Sequence, residues 1–350
     1  MPDYGWAFVV ALAAAFIVTP GVIWLAFKTG ALDEPEARKV HKEPVPRIGG
    51  LGIYIAFMVS MGLYMTTAEL PGDVRQGMEG LMIGGTLIVA LGLADDYLNI
   101  PAKLKLLGQI ACAALAVAYG VRIDFISDPF GDVLYLYDYV AIPATIFWLV
   151  GLTNTVNLID GLDGLAAGVS TIAAVTIFLV ALEQNFMLVA VVTAALAGAA
   201  FGFLYYNFNP ARIFMGDTGS MFLGFMLSGI SVIGAVKSAA TIALIVPLLA
   251  LGLPIVDTAF AIVRRKLAGV PIMKPDKGHL HHRLLSMGFT QRQAVLLMYV
   301  ISALLGTSAV AMTEVSPGFA LLILLSVVVS LLYGAKRLGI FHLNNTAHTH

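Results

Sequence analysis

The chain has 350 residues, of which 59% are hydrophobic and only 12% charged, and its mean hydropathy is +0.90. So little polar surface cannot cover a soluble domain of this size, and the sequence therefore predicts an integral membrane protein. The net charge of −1 does not indicate a nucleic-acid partner, and the basic residues are dispersed without an arginine-rich segment, so no such partner is expected. The single cysteine, Cys112, excludes an intramolecular disulfide and a cysteine-based metal site.

Apolar segments long enough to cross a bilayer as α-helices recur along the whole chain. They predict an all-α polytopic bundle of about 11 transmembrane helices that forms one domain over residues 1–350. The predicted spans are Gly5–Phe27, Gly49–Thr67, Gly77–Ala94, Leu104–Gly120, Val140–Leu158, Leu162–Leu182, Phe186–Tyr206, Gly219–Val236, Ala239–Val263, Ala294–Met312 and Pro317–Gly334.

The basic residues predict the orientation, because lysine and arginine concentrate in cytosolic loops. When the loops alternate between the two sides, 17 of the 20 basic residues fall on one side, and the other side holds Arg75, Arg122 and Lys237. This places the N-terminus outside and the C-terminus in the cytosol, with residues 335–350 predicted as a disordered tail. The longest outside loop, Asp124–Asp138, is rich in aromatic and β-branched residues and predicts a short hairpin at the membrane surface.

Acidic motifs fall on the predicted cytosolic side. Asp95 and Asp96 stand together at the end of the third span. The segment NTVNLIDGLDGL places four polar residues at intervals of three, which puts successive members on neighbouring parts of one helix face: Asn154, Asn157, Asp160 and Asp163. A helix cap explains Asp163 alone but not all four. Since a carboxylate in hydrocarbon costs a few kcal/mol or more, these residues are predicted to mark a site.

The segment FMGDTGS, residues 214–220, places Asp217 at the start of the eighth span, where backbone N–H groups and the helix dipole favour phosphate. An N-cap role for Asp217 is the alternative, but it leaves Gly216 and Gly219 unexplained. Mg²⁺ takes a few carboxylate or amide oxygens together with substrate phosphates. Asp217 and Asn157 are therefore the predicted Mg²⁺ ligands, with Mn²⁺ as a chemically similar substitute.

A basic motif, HLHHR at residues 279–283, lies in the predicted cytosolic loop after the ninth span. Zinc binding is the alternative, but further well-spaced ligands are missing from the motif. The nearby Lys274, Lys277, Arg264 and Arg265 make the segment cationic and favour phosphate. Acidic clusters for Mg²⁺ and basic clusters for phosphates at one boundary together predict phosphoryl transfer between a soluble nucleotide-linked donor and a lipid acceptor.

Five motifs in order resemble the polyprenyl-phosphate N-acetylhexosamine-1-phosphate transferases over nearly the whole chain. They are RKVHKEPVPRIGG, the pair Asp95–Asp96, NLIDGLDGL, FMGDTGS and PDKGHLHHRL. The resemblance implies that a UDP-linked sugar and undecaprenyl phosphate give undecaprenyl-diphospho-sugar and UMP, with Mg²⁺, at the cytosolic face of the bacterial cytoplasmic membrane. It also allows a homodimer.

The resemblance implies a role for each matching residue. Asp217 binds Mg²⁺, Asn157 lies beside the metal and diphosphate, and Asp95 is the base acting on the lipid phosphate. Asp96, Asp160 and Asp163 complete the catalytic set. The implied substrate-binding residues are Lys42, Arg47, Asn154, Lys103, Lys105, Arg264, Arg265, His279, His281, His282 and Arg283. Because a phosphate monoester is already largely ionised near neutral pH, Asp95 has the alternative role of orienting Lys103 or Lys105.

The sugar and the class of protein have alternatives. The HxHH form is more similar to the N-acetylglucosamine branch than to the muramoyl-pentapeptide branch, which has three consecutive histidines; Leu280 and Arg283 depart from that run. N-acetylglucosamine is thus expected first, another UDP-N-acetylhexosamine second and UDP-N-acetylmuramoyl-pentapeptide third. Direct in-line displacement is expected, with an aspartyl-phosphate route as its rival. An ion-coupled secondary transporter is the alternative of another class, but its carboxylates belong near the bilayer midplane.

Overall fold

The computed structural model describes residues 2–34, 43–127, 133–235, 242–267, 269 and 278–337. Within these ranges the chain is almost entirely helical. The helices are α1 Asp3–Thr29, α2 Gly50–Thr67, α3 Gly72–Leu98, α4 Ala102–Ala118, α5 Asp138–Ile159, α6 Leu165–Glu183, α7 Met187–Asn207, α8 Gly216–Ala235, α9 Ile242–Ala250, α10 Gly252–Leu267, α11 Leu280–Ser286, α12 Gln291–Glu314 and α13 Pro317–Arg337. The strands are β1 Leu32–Asp33, β2 Val45–Pro46, β3 Phe125–Ser127 and β4 Val133–Tyr135.

In the described part of the chain, nine helices are long and apolar enough to cross a membrane: α1, α2, α3, α5, α6, α7, α8, α12 and α13. The predicted all-α polytopic membrane protein is confirmed at this level. Helix α4 is shorter, with 17 residues. The prediction of one continuous span over Ala239–Val263 is wrong, because α9 ends at Ala250 and α10 begins at Gly252. Pro247 and Pro254 lie on the two sides of this break, and each lacks a backbone donor for the helix.

Helix α8 lies at the centre of the bundle, and α13 lies at its edge. In α8, 83% of the apolar stretch Gly216–Gly234 is buried, against 6% of Pro317–Gly334 in α13. Helices α2, α3, α5 and α6 all contact α8. The first turn of α8 is therefore enclosed by several helices, which positions any side chain that it carries.

Glycines allow two helices to approach the start of α8 closely. A Cβ added to Gly50 of α2 would lie 2.0 Å from the backbone nitrogen of Gly219, and one added to Gly92 of α3 would lie 2.5 Å from Thr218 Cα. Close packing of α2 on α8 therefore explains the glycine at position 219, for which the sequence predicts contact with a ligand. Gly216 has φ +68°, a conformation that favours glycine, and its backbone lies against Arg47 O.

Strands β3 and β4 pair antiparallel, with Phe125 opposite Tyr135, so the hairpin predicted within Asp124–Asp138 is confirmed. Residues 128–132 lie outside the described part. Strands β1 and β2 form a second antiparallel pair at the start of the segment that leads into α2. Helix α13 continues to Arg337, past the predicted start of the tail at residue 335, and residues 338–350 lie outside the described part.

Candidate active site

Asp95 lies in the last turn of α3 and binds Lys105 of α4. Its Oδ1 accepts the backbone N–H of Ile100 at 2.7 Å, and its Oδ2 accepts Lys105 Nζ at 3.0 Å. Lys105 also donates to Asp217 Oδ2. The ammonium group therefore links the carboxylates of α3 and α8, and the geometry agrees with the alternative role for Asp95, that of orienting Lys105.

Asn157, near the end of α5, completes this cluster. Its Nδ2 donates to Asp217 Oδ1 at 2.9 Å and to Ser220 Oγ at 2.8 Å. Both oxygens of Asp217 thus have a donor. The amide oxygen of Asn157 receives no hydrogen bond from the described residues, so it is available as a ligand. Four helices bring together Asp95, Lys105, Asn157 and Asp217, which we call the acidic cluster.

Asp96 is buried and binds the first turn of α8 instead of facing the acidic cluster. Its carboxylate accepts the backbone N–H of Asp217 at 3.0 Å, the backbone N–H of Thr218 at 3.1 Å and Thr218 Oγ1 at 2.6 Å. The N–H groups at the start of α8 are predicted from the sequence to favour phosphate. That expectation is wrong for these two, because Asp96 occupies them.

Two further predicted site residues make structural contacts. Asn154 Nδ2 donates to Gln109 Oε1 at 2.6 Å and to Val150 O at 2.8 Å, which ties α5 to α4. Asp163 Oδ2 accepts Asn209 Nδ2 at 2.9 Å and the backbone N–H of Ala211 at 3.1 Å, which fixes the segment between α7 and α8. The structure does not bring these two side chains into the acidic cluster.

Asp160 follows the end of α5 at Ile159, so it does not continue the helix face of Asn157 as its spacing predicted. Its carboxyl group makes no hydrogen bond within the described residues. Burial raises the pKa of Asp160 to about 8, and the negative charges of Asp217, Asp96 and Asp163 act in the same direction. A cation beside this turn would relieve that repulsion.

The histidine motif begins a short helix, α11, instead of lying in an irregular loop. A Cβ added to Gly161, next to Asp160, would lie 2.6 Å from His281 Nε2. The rings of His279 and His281 are parallel with centroids 5.8 Å apart, and those of His281 and His282 are 4.3 Å apart. The histidine motif therefore packs on the turn that follows Asn157 at the end of α5.

His281 does not supply positive charge to this site. It is 2% exposed, and burial together with the nearby His282 lowers its pKa to about 4. The ring is consequently neutral near neutral pH, and its contact with Gly161 is one of packing.

The predicted cationic residues other than Lys105 lie on several different elements. The Arg264 guanidinium lies against Gly278, where an added Cβ would be 2.4 Å from Arg264 Cζ, and Arg283 Nε donates to Gly278 O at 3.3 Å. Arg265 is buried on α10. Arg47 precedes the Gly49–Gly50 contact with α8, and Lys103 is exposed on α4. Lys42 lies outside the described residues, as do Lys274 and Lys277.

Among the described residues, no group of three or more His, Cys, Asp or Glu side chains is placed to hold a metal ion. A cage made by the protein alone is therefore not formed there. Asp257, which is not among the predicted site residues, is buried on α10 and binds His279. The signal was present, because Asp257 interrupts the apolar run LGLPIVDTAFAIV, and a carboxylate in such a run needs a partner.

The sequence is similar to known proteins over most of its length. The model of "Glycosyl transferase family 4" matches residues 78–235. The chain is 40% identical over 337 residues to the probable undecaprenyl-phosphate N-acetylglucosaminyl 1-phosphate transferase of Bacillus subtilis, covering 95% of this chain and 92% of that relative. It is 38% identical over 338 residues to the decaprenyl-phosphate N-acetylglucosaminephosphotransferase of Mycolicibacterium smegmatis, covering 88% and 82%.

A more distant relative is the phospho-N-acetylmuramoyl-pentapeptide-transferase of Desulforudis audaxviator, which is 31% identical over 338 residues, covering 88% of this chain and 96% of the relative. The segment that matches the family model runs from α3 to the end of α8 and contains the whole acidic cluster. The chain belongs to glycosyl transferase family 4 and is an enzyme.

Proposed function

We propose that the protein transfers N-acetylglucosamine-1-phosphate from UDP-N-acetylglucosamine to undecaprenyl phosphate and releases UMP. The names of the Bacillus and Mycolicibacterium relatives support the sugar phosphate and a polyprenyl-phosphate acceptor. The observation that carries the chemistry is the convergence of Asp95, Lys105, Asn157 and Asp217 from four helices. This cluster combines oxygen ligands with an ammonium group, as phosphoryl transfer requires.

Mg²⁺ is part of the proposal, with Mn²⁺ as its substitute. Mg²⁺ is usually held by one or two carboxylates, several waters and substrate phosphates. Asp217 and the amide oxygen of Asn157 fit this pattern, which does not need three acidic ligands. Lys105 already places a cation between two carboxylates, which indicates a potential suited to positive charge. When bound, the ion would neutralise charge on the diphosphate.

The proposed reaction is one in-line displacement. An oxygen of the lipid phosphate forms a bond to the phosphorus that bears the sugar, and the bond from that phosphorus to the UMP oxygen breaks and leaves its electron pair on UMP. Lys105 neutralises charge on the phosphates, and Asp95 orients Lys105. Asp96 is a poor candidate for a covalent nucleophile, since its carboxylate already accepts three hydrogen bonds.

The proposed location of the site is the cytosolic face of the bacterial inner membrane. The distribution of basic residues supports this orientation. Helices α3 and α5 end where α8 begins, so Asp95, Asn157 and Asp217 all lie at helix ends on one side of the bundle. Such a position argues against an ion-coupled transporter, whose carboxylates belong near the midplane.

The test is a transfer assay with the purified protein, undecaprenyl phosphate, Mg²⁺ and separate UDP-sugars, with mass spectrometry of the lipid and measurement of UMP. We expect N-acetylglucosaminyl-diphospho-undecaprenol and equimolar UMP, lost on chelation and restored by Mg²⁺ or Mn²⁺. A folded Asp217→Asn variant is expected to be inactive. A product only from another UDP-N-acetylhexosamine or from UDP-N-acetylmuramoyl-pentapeptide would overturn the sugar assignment. A phosphorylated enzyme trapped without acceptor would overturn the single displacement.

A further inference from the structure

Asp257 is a buried carboxylate with no part in the proposed displacement. It lies on α10 and is 5% exposed. Its Oδ2 is 2.9 Å from His279 Nδ1, and its Oδ1 accepts the backbone N–H of Leu280 at 2.8 Å. One side chain of α10 thus binds both the ring that precedes α11 and the first N–H group of that helix.

These two contacts explain how α11 starts. His279 is the N-cap residue of α11, but its side chain makes no capping hydrogen bond. The four N–H groups at the start of a helix have no partner within the helix. Asp257 satisfies one of them from a different helix, and the two hydrogen bonds offset the cost of burying its charge.

The same contact decides which nitrogen of His279 carries a proton. An ionised carboxylate only accepts hydrogen bonds, so the nitrogen that faces it must be the protonated one. Nδ1 faces Asp257, which leaves Nε2 for another partner. Nε2 makes no hydrogen bond within the described residues. The parallel ring of His281 joins this arrangement to Gly161 and so to the turn after Asn157.

We propose that Asp257 is a positioning residue of the donor site, which holds His279 with Nδ1 protonated and Nε2 presented to a phosphate or sugar group of the UDP-sugar. This inference rests on the proposed function for the identity of the ligand only. Asp257 acts through His279 and does not itself touch the substrate.

The first test does not depend on activity. Protein labelled with ¹⁵N-histidine is compared with the His279→Gln variant by solid-state NMR, and the signals missing in the variant are assigned to His279. We expect Nδ1 of His279 to be protonated in the unsubstituted protein at neutral pH. An unprotonated Nδ1 would overturn the proposal, whatever reaction the enzyme catalyses.

The second test separates binding of the donor from binding of the acceptor. In Asp257→Asn the new amide can still accept the Leu280 N–H, but its NH₂ group then faces Nδ1 and favours the opposite tautomer. We expect the KM for UDP-N-acetylglucosamine to rise about 10- to 100-fold, by analogy with the loss of the partner that orients a metal-bound histidine. The KM for undecaprenyl phosphate is expected to stay unchanged. Asp257→Glu, which keeps an acceptor, is expected to recover part of the loss.

Two controls distinguish positioning from a general loss of structure. Thr258→Val changes the next residue of α10, whose buried hydroxyl has no hydrogen-bond partner in the described part, and we expect it to leave both KM values unchanged. The double variant Asp257→Asn/His279→Gln is expected to be no worse than His279→Gln alone. Additive losses, or an equal rise in both KM values, would overturn the proposal.

These outcomes stay distinct from failure of the proposed function. If the unsubstituted protein transfers no sugar phosphate, the proposed function fails, and the NMR measurement still decides the position of the proton. If Asp257→Asn does not fold, as judged by size-exclusion chromatography in detergent, Asp257→Glu and the NMR measurement decide. A donor KM of Asp257→Glu closer to that of His279→Gln than to that of the unsubstituted protein would then count against Asp257.

Discussion

Asp96 holds the backbone of Asp217, and not its side chain. The hydrogen bond from Asp217 N to Asp96 Oδ1 is 3.0 Å long, and Thr218 adds two more donors to the same carboxylate. The Asp217 side chain is then directed to Lys105 and Asn157. The two neighbouring acids of α3 therefore have different tasks, since Asp95 belongs to the acidic cluster and Asp96 fixes the helix that carries Asp217.

The first prediction concerns Asp96. Asp96→Asn keeps one acceptor oxygen but turns an NH₂ group toward N–H donors, so we expect a loss of about 1–3 kcal/mol in the free energy of unfolding, the cost of an unsatisfied buried group. Transfer activity and Mn²⁺ affinity should fall with it, because Asp217 shifts. Thr218→Val removes one donor only and should lose about 1 kcal/mol. Thermal unfolding measures the stability of the two variants, and Mn²⁺ titration measures their affinity for the metal. An Asp96→Asn variant with unchanged Mn²⁺ affinity would contradict this role.

The second prediction concerns Lys105, whose ammonium group lies between Asp95 and Asp217. A divalent cation bound at Asp217 has to compete with it. In Lys105→Gln we therefore expect tighter Mn²⁺ binding in the absence of substrates, by about 10-fold, which corresponds to about 1.4 kcal/mol. Transfer activity should nevertheless fall, because the phosphates lose a cation. Electron paramagnetic resonance of free Mn²⁺ measures the affinity without any turnover.

Lys103→Gln is the matched control for this experiment. It removes the same charge two residues earlier on α4, but Lys103 is exposed and makes no ion pair within the described residues. Its effect on Mn²⁺ affinity should therefore be small. Equal affinities in the two variants would show that Lys105 does not compete with the metal.

The acidic cluster was predictable from the sequence because its acidic and amide side chains lie at the ends of apolar segments. Asp95, Asn157 and Asp217 stand at the ends of spans, and the alternation of spans alone predicts that all three lie on one side of the membrane. Spacing could not reveal which groups bind each other. The capture of the α8 N–H groups by Asp96 and the link from Asp163 to Asn209 join residues more than 40 positions apart.

The helices were predictable from hydropathy, but their interruptions were less so. The apolar run from Ala239 to Val263 reads as one span, because hydropathy does not register the break between α9 and α10. The same break places Asp257 on a separate helix that faces α11. The sequence alone also could not assign Gly219 to helix packing instead of ligand binding, because close helix contact and close ligand approach both require a missing side chain.

The third prediction tests the contact between α2 and α8. In Gly50→Ala the new Cβ would lie 2.0 Å from Gly219 N, a backbone atom that cannot move independently, so we expect a loss of about 1–3 kcal/mol in stability and a loss of activity. Gly62→Ala on the same helix meets no atom within 4 Å and should be neutral or stabilising, by up to about 1 kcal/mol. Thermal unfolding of the pair gives the comparison. Equal effects at the two positions would show that the close contact is absent.

The fourth prediction concerns the pH dependence of stability. Burial and the neighbouring His282 and His279 lower the pKa of His281 to about 4 in the folded protein, against the ordinary value of 6.5, although the negative charge of Asp257 acts in the opposite direction. Between these values the unfolded chain binds the proton more readily than the folded protein does. The stability that comes from keeping His281 neutral is therefore complete above pH 6.5 and is lost as the pH falls toward 4. From pH 7.5 to pH 5 we expect a loss of about 2 kcal/mol from this residue.

Unfolding temperatures measured across this range should show a slope that becomes smaller in His281→Asn. His282→Gln is the matched control, because His282 is the adjacent ring and is only half-buried, so this variant should keep most of the slope. A slope that persists unchanged in His281→Asn would mean that other groups cause the acid sensitivity. If the slope disappears in His281→Asn and not in His282→Gln, its cause is the neutral ring of His281 buried between α11 and Gly161. A ring exposed to solvent would have its ordinary pKa and would not produce the slope.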